Sequence, residues 1–185
     1  MIDATRPAVD EREVLLRMVA DQRRAVRNAV RGLTDEQARS TPSASQLSLS
    51  GVIKHLTQGE RTAVVVRIGR RDAETDPQGE WLAGFQVGAE ETVPVLLAAW
   101  AEVARATEEI IRAEPDLGRV VEVSPDIRRW LPSGVEITVR WLLLHLVEEA
   151  ARHAGHADII RESIDGKGAW QLEAETQGID GPGWT

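Results

Sequence analysis

Apolar residues recur every three or four positions in four long segments, and this spacing constrains the fold more than any other feature of the sequence. Such spacing is the period of an amphipathic α-helix. The segments predicted as helices 1 to 4 are approximately residues 10–33, 48–69, 90–113 and 136–164. Since no convincing pairs of strands are indicated, the pattern predicts an all-α fold. We expect a four-helix bundle with long connections between helices 1 and 2 and between helices 3 and 4.

Local signals at the ends of these segments agree with the helical interpretation. The stretch Thr34-Asp35-Glu36-Gln37 is typical of a cap that starts a short further helix after helix 1. Pro94 falls in the first turn of helix 3, where a proline is tolerated. Asp165-Gly166 is expected to end helix 4.

A chain of 185 residues is long enough for one hydrophobic core, so a single domain over residues 1–185 is predicted. Within it, residues 166–185 are rich in glycine and are expected to form a tail that packs loosely over the bundle. The connection over residues 72–89 is rich in Asp, Gly and Gln, and Trp81 and Phe85 are its predicted packing anchors.

The net charge of −8 argues against a general attraction to nucleic acid or to an anionic membrane surface. Helix 1 does carry Arg23, Arg24, Arg27 and Arg31, but acidic residues are interspersed among them. We interpret these arginines as a solvated face.

The absence of cysteine excludes disulfides, cysteine-ligated zinc and a protein thiolate nucleophile. Any thiol chemistry would therefore use a thiol supplied from solution. The charged N-terminal segment lacks the apolar core of a signal peptide, and no apolar run is long enough to span a membrane. A cytoplasmic location is expected.

Three of the four histidines lie within residues 145–156, in predicted helix 4. With about 100° per residue, His156, Glu149 and His153 fall at about 20°, 40° and 80° from His145 around the helix axis. Leucines occupy the same side, so these polar side chains are interleaved with the apolar stripe that a bundle buries.

An ionised carboxylate buried without a partner would cost several kcal/mol. Glu149 and His153 lie one turn apart and can address a common point, and His55 lies at the edge of the apolar face of helix 2. Bundles build metal sites from facing helices, and a His, His and Glu set occurs in zinc sites that keep an open position. The alternative is a structural polar network. His145 and His156 are weaker candidates that could orient the ligands or replace one of them.

The helix-2 stretch KHLTQGE and the helix-4 stretch LLLHLVEEAARHAGHADIIRE resemble the DinB/YfiT-like superfamily of four-helix-bundle metalloproteins. The resemblance implies a divalent metal ion, zinc or nickel, held by His55, Glu149 and His153. The Glu-x-x-x-His pair is similar to that of the N-terminal domain of mycothiol-dependent maleylpyruvate isomerase. The resemblance also implies a low-molecular-weight thiol as a cosubstrate and a homodimer as the assembly.

These observations lead to three hypotheses about function. The first is a metal-dependent enzyme that activates a mycothiol- or bacillithiol-like thiol for transfer to a small electrophile, or for isomerisation. The second is a metal-dependent hydrolase that activates water. The third is a binding protein without catalytic activity, whose metal ion is structural. The sequence names no separate general acid or base.

Overall fold

Helices make up almost all of the regular structure. The computed structural model describes residues 10–69, 83–123, 128 and 133–179. In these ranges the only other regular feature is an isolated antiparallel bridge between Val120 and Thr138, so the all-α prediction is confirmed. The helices are α1 (Glu11–Val30), α2 (Asp35–Arg39), α3 (Leu49–Glu60), α4 (Val93–Ala113), α5 (Val139–Asp165) and α6 (Ala169–Gln177). A π-helix over Arg61–Ile68 continues α3, and Ala83–Phe85 forms a 3-10 turn.

Capping side chains explain where the helices begin. The side chains of Asp10, Ser48 and Thr138 each accept a hydrogen bond from a backbone N–H in the first turn of α1, α3 and α5, respectively. The predicted capping box is present at α2, where Thr34 and Gln37 exchange side-chain-to-backbone hydrogen bonds. Because such signals are local, they can be read from the sequence.

The four long predicted helices agree with α1, the α3 and π-helix unit, α4 and α5 to within three residues at each end. Gly166 ends α5 with a φ of 79°, a left-handed conformation that costs glycine little. This confirms the predicted end of helix 4.

Helices α1 and α5 lie side by side and run in the same direction. Near their first residues, Arg140 Nε donates to Glu11 Oε1 over 2.6 Å. Near their last residues, Arg161 Nη1 donates to the carbonyl oxygens of Ala29 and Arg31 over 2.9 and 2.8 Å. The buried guanidinium thus satisfies carbonyls that the end of α1 leaves without helical partners.

Helix α3 packs against both α4 and α5, and an apolar cluster fills the space between them. Its members on these three helices include Val52, Ile53, Leu56, Leu96, Trp100, Ala150, Ala154 and Ala157. Alanines on α5 allow a close approach of α3. This packing brings the middle of α3 to the polar residues of α5.

A second set of polar side chains is buried where α3 passes into the π-helix. Glu60 is 2% exposed and Arg23 is 7% exposed, and their side chains form an ion pair. Trp100 Nε1 and Thr107 Oγ1 donate to the same carboxylate over 3.0 and 2.6 Å. The interpretation of Arg23 as a solvated residue is therefore wrong, whereas Arg24, Arg27 and Arg31 are exposed.

The C-terminal segment differs from the expected loose tail. Residues Ala169–Gln177 form α6, which packs on α1 with Leu172 and Ala174 buried. Asn28 Nδ2 on α1 donates to Glu173 Oε2 over 2.7 Å. Predicted anchor Trp81 and residues 180–185 lie outside the described residues. Across the ranges that the structure describes, no helix is both long enough and apolar enough to traverse a bilayer.

Candidate metal centre

His55 on α3 meets Glu149 and His153 on α5. One potential ligand atom from each residue lies within 4.8 Å of the other two. Glu149 Oε2 is 3.9 Å from His55 Nε2 and also 3.9 Å from His153 Nε2. The sequence prediction that these three side chains converge is thus matched by the geometry.

The surroundings fix the protonation states of two of these groups. Burial and the neighbouring His55 lower the pKa of His153 to about 4, so its imidazole is neutral at pH 7. His55 is the main cause of a lowered pKa at Glu149; partial burial opposes this effect, and the Arg152 guanidinium adds to it. Glu149 is therefore an ionised carboxylate beside a neutral imidazole.

Arg152 orients the carboxylate. Its Nη1 donates to Glu149 Oε1 over 3.0 Å, and its Nη2 donates to Glu148 Oε1 over 2.8 Å. Because Oε1 of Glu149 is engaged by the guanidinium, Oε2 is the oxygen directed between the two histidines. The position of Arg152 in the sequence does not indicate this role.

Phe85 orients the imidazole of His55. The two rings are stacked, with centroids 4.1 Å apart and planes 13° apart. Phe85 also lies 5.7 Å from the His153 ring, between centroids. Its 3-10 turn lies against Gly51 of α3, where a Cβ atom would come within 2.5 Å of the Phe85 carbonyl oxygen. Sequence reasoning predicted Phe85 only as a packing anchor, and no signal in the sequence pairs it with His55.

His145 and His156 occupy different positions around this group. His156 Nδ1 lies 3.4 Å from His153 Nδ1, on the side of the ring away from Glu149. The His145 ring stacks on Trp141 with centroids 5.0 Å apart, and its Nδ1 is 3.5 Å from Glu148 Oε2. Among the described residues, the three-residue ligand group includes neither histidine.

The three converging residues can hold a metal ion. Zinc bonds of about 2.0–2.1 Å to nitrogen and oxygen place neighbouring ligand atoms of a tetrahedron about 3.3–3.5 Å apart. Two of the three separations are 3.9 Å and all three are within 4.8 Å, so binding of an ion would require the ligand atoms to move together by about 0.5 to 1.4 Å. Two imidazole nitrogens and one carboxylate oxygen also suit a divalent ion of this kind. The fold and this group define a helical protein with a three-residue candidate metal centre.

Comparison with known proteins places this protein in a family. A family model described as mycothiol-S-transferase matches residues 14–166, and the chain belongs to that DinB/YfiT-like family. A solved structure described as a conserved protein from Enterococcus faecalis has a similar fold, with a TM-score of 0.69 and 15% sequence identity. The similarity covers 86% of this chain and 100% of that one. No curated protein matches the chain.

Proposed function

We propose that this protein is a metal-dependent transferase that joins a low-molecular-weight thiol, such as mycothiol or bacillithiol, to a small electrophile. One divalent ion, zinc or nickel, would be held by His55, Glu149 and His153. The observation that carries the proposal is the approach of these three ligand atoms to within 4.8 Å of one another. Membership of the mycothiol-S-transferase family supports a thiol as the cosubstrate.

The charges of the ligand set favour an anionic fourth ligand. One carboxylate and two neutral imidazoles would leave a divalent ion with a net charge of +1 at the site. When bound, the ion would lower the pKa of a coordinated thiol so that the sulfur is present as thiolate at neutral pH. If the electrophile is an activated alkene or an epoxide, the carbon–sulfur bond forms as the π bond or the ring carbon–oxygen bond breaks, and the product takes up the proton that the thiol gave up. If it carries a leaving group, the carbon–sulfur bond replaces the bond to that group, which departs with the electron pair while the thiol proton passes to solvent.

The chain itself supplies orientation and access. Arg152 holds one oxygen of Glu149, and Phe85 stacks on His55, so both ligands are aligned before the thiol arrives. Side-chain exposure along α5 rises from 8% at His153 to 27% at Glu149 and 40% at His145. We propose that the thiol and the electrophile approach along this increasingly exposed stripe.

Further parts of the proposal concern the fold and the assembly. We propose that the four long helices α1, α3, α4 and α5 pack around a common core as a four-helix bundle, with the ion between α3 and α5. The protein is proposed to act in the cytoplasm as a homodimer. Light scattering coupled to size-exclusion chromatography measures the mass in solution and tests the dimer.

The test of function compares zinc-loaded and chelated protein with a chromogenic electrophile. Mycothiol, bacillithiol or glutathione is added, or thiol is omitted. We expect turnover only with loaded protein and an added thiol, and we expect His153→Ala to lose both metal and activity. His145→Ala is the matched control on the same helix and should keep its metal.

Other outcomes of this experiment point to the competing functions. Equal turnover in zinc-loaded and chelated samples would show that the reaction does not require the metal ion. Thiol-independent cleavage of an ester or amide substrate by loaded protein would indicate a hydrolase. Loss of metal from the His145→Ala variant would contradict the ligand assignment.

A further inference from the structure

We propose that His156 is a positioning residue, whose Nδ1 accepts a hydrogen bond from His153 Nδ1–H and thereby fixes His153 in the tautomer that can bind the metal ion. The inference rests on the proposed metal centre and adds a residue to it. It also distinguishes His156 from His145, because only His156 is given a role in metal binding.

The geometry places the two rings edge to face. Their centroids are 5.3 Å apart, their planes are inclined by 61°, and the two Nδ1 atoms are 3.4 Å apart. This separation is slightly longer than the usual 2.7–3.2 Å of a hydrogen bond. His156 lies three residues after His153, so the contact spans one turn of α5. A rigid helical connection fixes the positions of both Cα atoms, and only side-chain rotation is needed to shorten the contact.

Opposite nitrogens of His153 face different partners. Nε2 faces Glu149 Oε2, whereas Nδ1 faces His156 Nδ1. A neutral imidazole has one N–H and one lone pair, and a metal ion needs the lone pair. If Nε2 is the ligand, the proton of His153 must be on Nδ1. His156 Nδ1 is then the acceptor, and His156 must carry its own proton on Nε2.

The opposite arrangement would prevent binding through Nε2. If His156 Nδ1–H donated to His153 Nδ1, the His153 proton would sit on Nε2 and would occupy the position required by the ion. The direction of this hydrogen bond therefore decides whether Nε2 of His153 has a free lone pair for the ion or carries the proton. Outer residues that fix the tautomer of a metal-binding histidine typically contribute 10–100-fold to metal affinity.

The experiment measures the zinc dissociation constant by competition with a chromogenic chelator. His156→Phe keeps a ring but has no acceptor, and we expect it to weaken zinc binding about 10–100-fold. His156→Asn places an amide oxygen close to the position of Nδ1 and should restore most of that loss. His145→Phe is the matched control on the same helix, and we expect it to bind zinc like the unmodified protein.

A second measurement needs no substitution. Long-range ¹H–¹⁵N spectra of the zinc-loaded protein report which nitrogen of each histidine carries the proton. We expect the proton on Nδ1 of His153 and on Nε2 of His156. A proton on Nε2 of His153 would overturn the inference even if His156→Phe failed to fold.

The metal centre and the positioning role of His156 can be disproved separately. If the unmodified protein binds zinc and His156→Phe binds it equally well, the positioning role is wrong and the proposed metal centre stands. If the unmodified protein binds neither zinc nor nickel, the metal centre is wrong, and the positioning role falls with it.

Discussion

At the scale of single residues, two carboxylates lie in contrasting surroundings: Glu60 is buried in the core, and Glu149 is half-buried between α3 and α5. Glu60 receives hydrogen bonds from Arg23, Trp100 and Thr107, so its charge is paired within the core. Glu149 instead accepts from Arg152 through Oε1, and its Oε2 lies 3.9 Å from one ring nitrogen each of His55 and His153. Both oxygens of Glu60 are thus engaged by donors, whereas Oε2 of Glu149 faces the two other potential metal ligands.

The buried pair gives the first prediction, which concerns stability. Glu60→Gln removes the negative charge opposite Arg23 and leaves a buried guanidinium without a counter-ion. Breaking such a pair typically costs about 3–5 kcal/mol. We expect a loss of that size in the free energy of unfolding, measured by urea denaturation of the chelated protein.

Glu102→Gln is the matched control for this measurement. Glu102 pairs with Arg105 at the surface, where both side chains are well exposed. Surface pairs contribute at most about 1 kcal/mol. Equal losses for Glu60→Gln and Glu102→Gln would contradict the structural role given to the buried pair.

The difference between these two carboxylates also shows what the sequence can predict. Glu149 and His153 are four residues apart on one helix, so helical geometry alone brings them together. The partners of Glu60 lie 37, 40 and 47 positions away, on other helices. Their meeting depends on how α1, α3 and α4 pack, which the period of a single helix does not specify.

At the scale of elements, α3 links the core to the candidate metal centre through Gly51. The missing side chain lets the 3-10 turn approach α3, and the turn carries Phe85 onto the ring of His55. Helix ends were predictable because caps such as Ser48 act within one turn. The contact of Phe85 with His55 was not predictable from the sequence, because it depends on the path of the long connection between α3 and α4. The helix α6 was likewise missed, since glycines surround a segment whose helicity depends on burying Leu172 against α1.

The close contact at Gly51 gives the second prediction. In Gly51→Ala the new Cβ would meet the Phe85 carbonyl oxygen at 2.5 Å, so the turn must move away. Overpacking of this kind costs about 1–3 kcal/mol. We expect a lower melting temperature and weaker zinc binding, because the stack that orients His55 is displaced. Thermal unfolding and chelator competition measure the two effects.

Gly59→Ala provides the comparison within the same helix. A Cβ at Gly59 would meet no atom within 4 Å, and alanine is favoured over glycine in a helix by about 1 kcal/mol. This variant should be more stable than the unmodified protein and should bind zinc normally. A Gly51→Ala variant that behaved like Gly59→Ala would show that the turn does not depend on this contact.

At the scale of the whole molecule, α5 is tied to its neighbours in different ways along its length. Hydrogen bonds from Arg140 and Arg161 attach its two ends to α1. Its middle faces α3 across the candidate metal centre, where His55 lies opposite Glu149 and His153. An ion bound there would join α3 to α5 through polar ligands. The metal ion is therefore expected to contribute to global stability as well as to chemistry.

The third prediction follows from this linkage. A ligand that binds only the folded state stabilises it by about 2.7 kcal/mol when its free concentration is 100 times its dissociation constant. We expect zinc to raise the melting temperature in a concentration-dependent manner, and EDTA to reverse the increase. Differential scanning calorimetry at several free zinc concentrations measures the effect.

Two substitutions show whether this stabilisation arises at the proposed centre. His55→Ala removes the only ligand proposed on α3, so zinc could no longer join the two helices and the increase should be lost. His145→Ala leaves the three proposed ligands in place and should keep the increase. Because both variants replace one partly exposed histidine, their metal-free forms serve as matched baselines. An equal response to zinc in the two variants would mean that the ion stabilises the protein from somewhere other than the junction of α3 and α5.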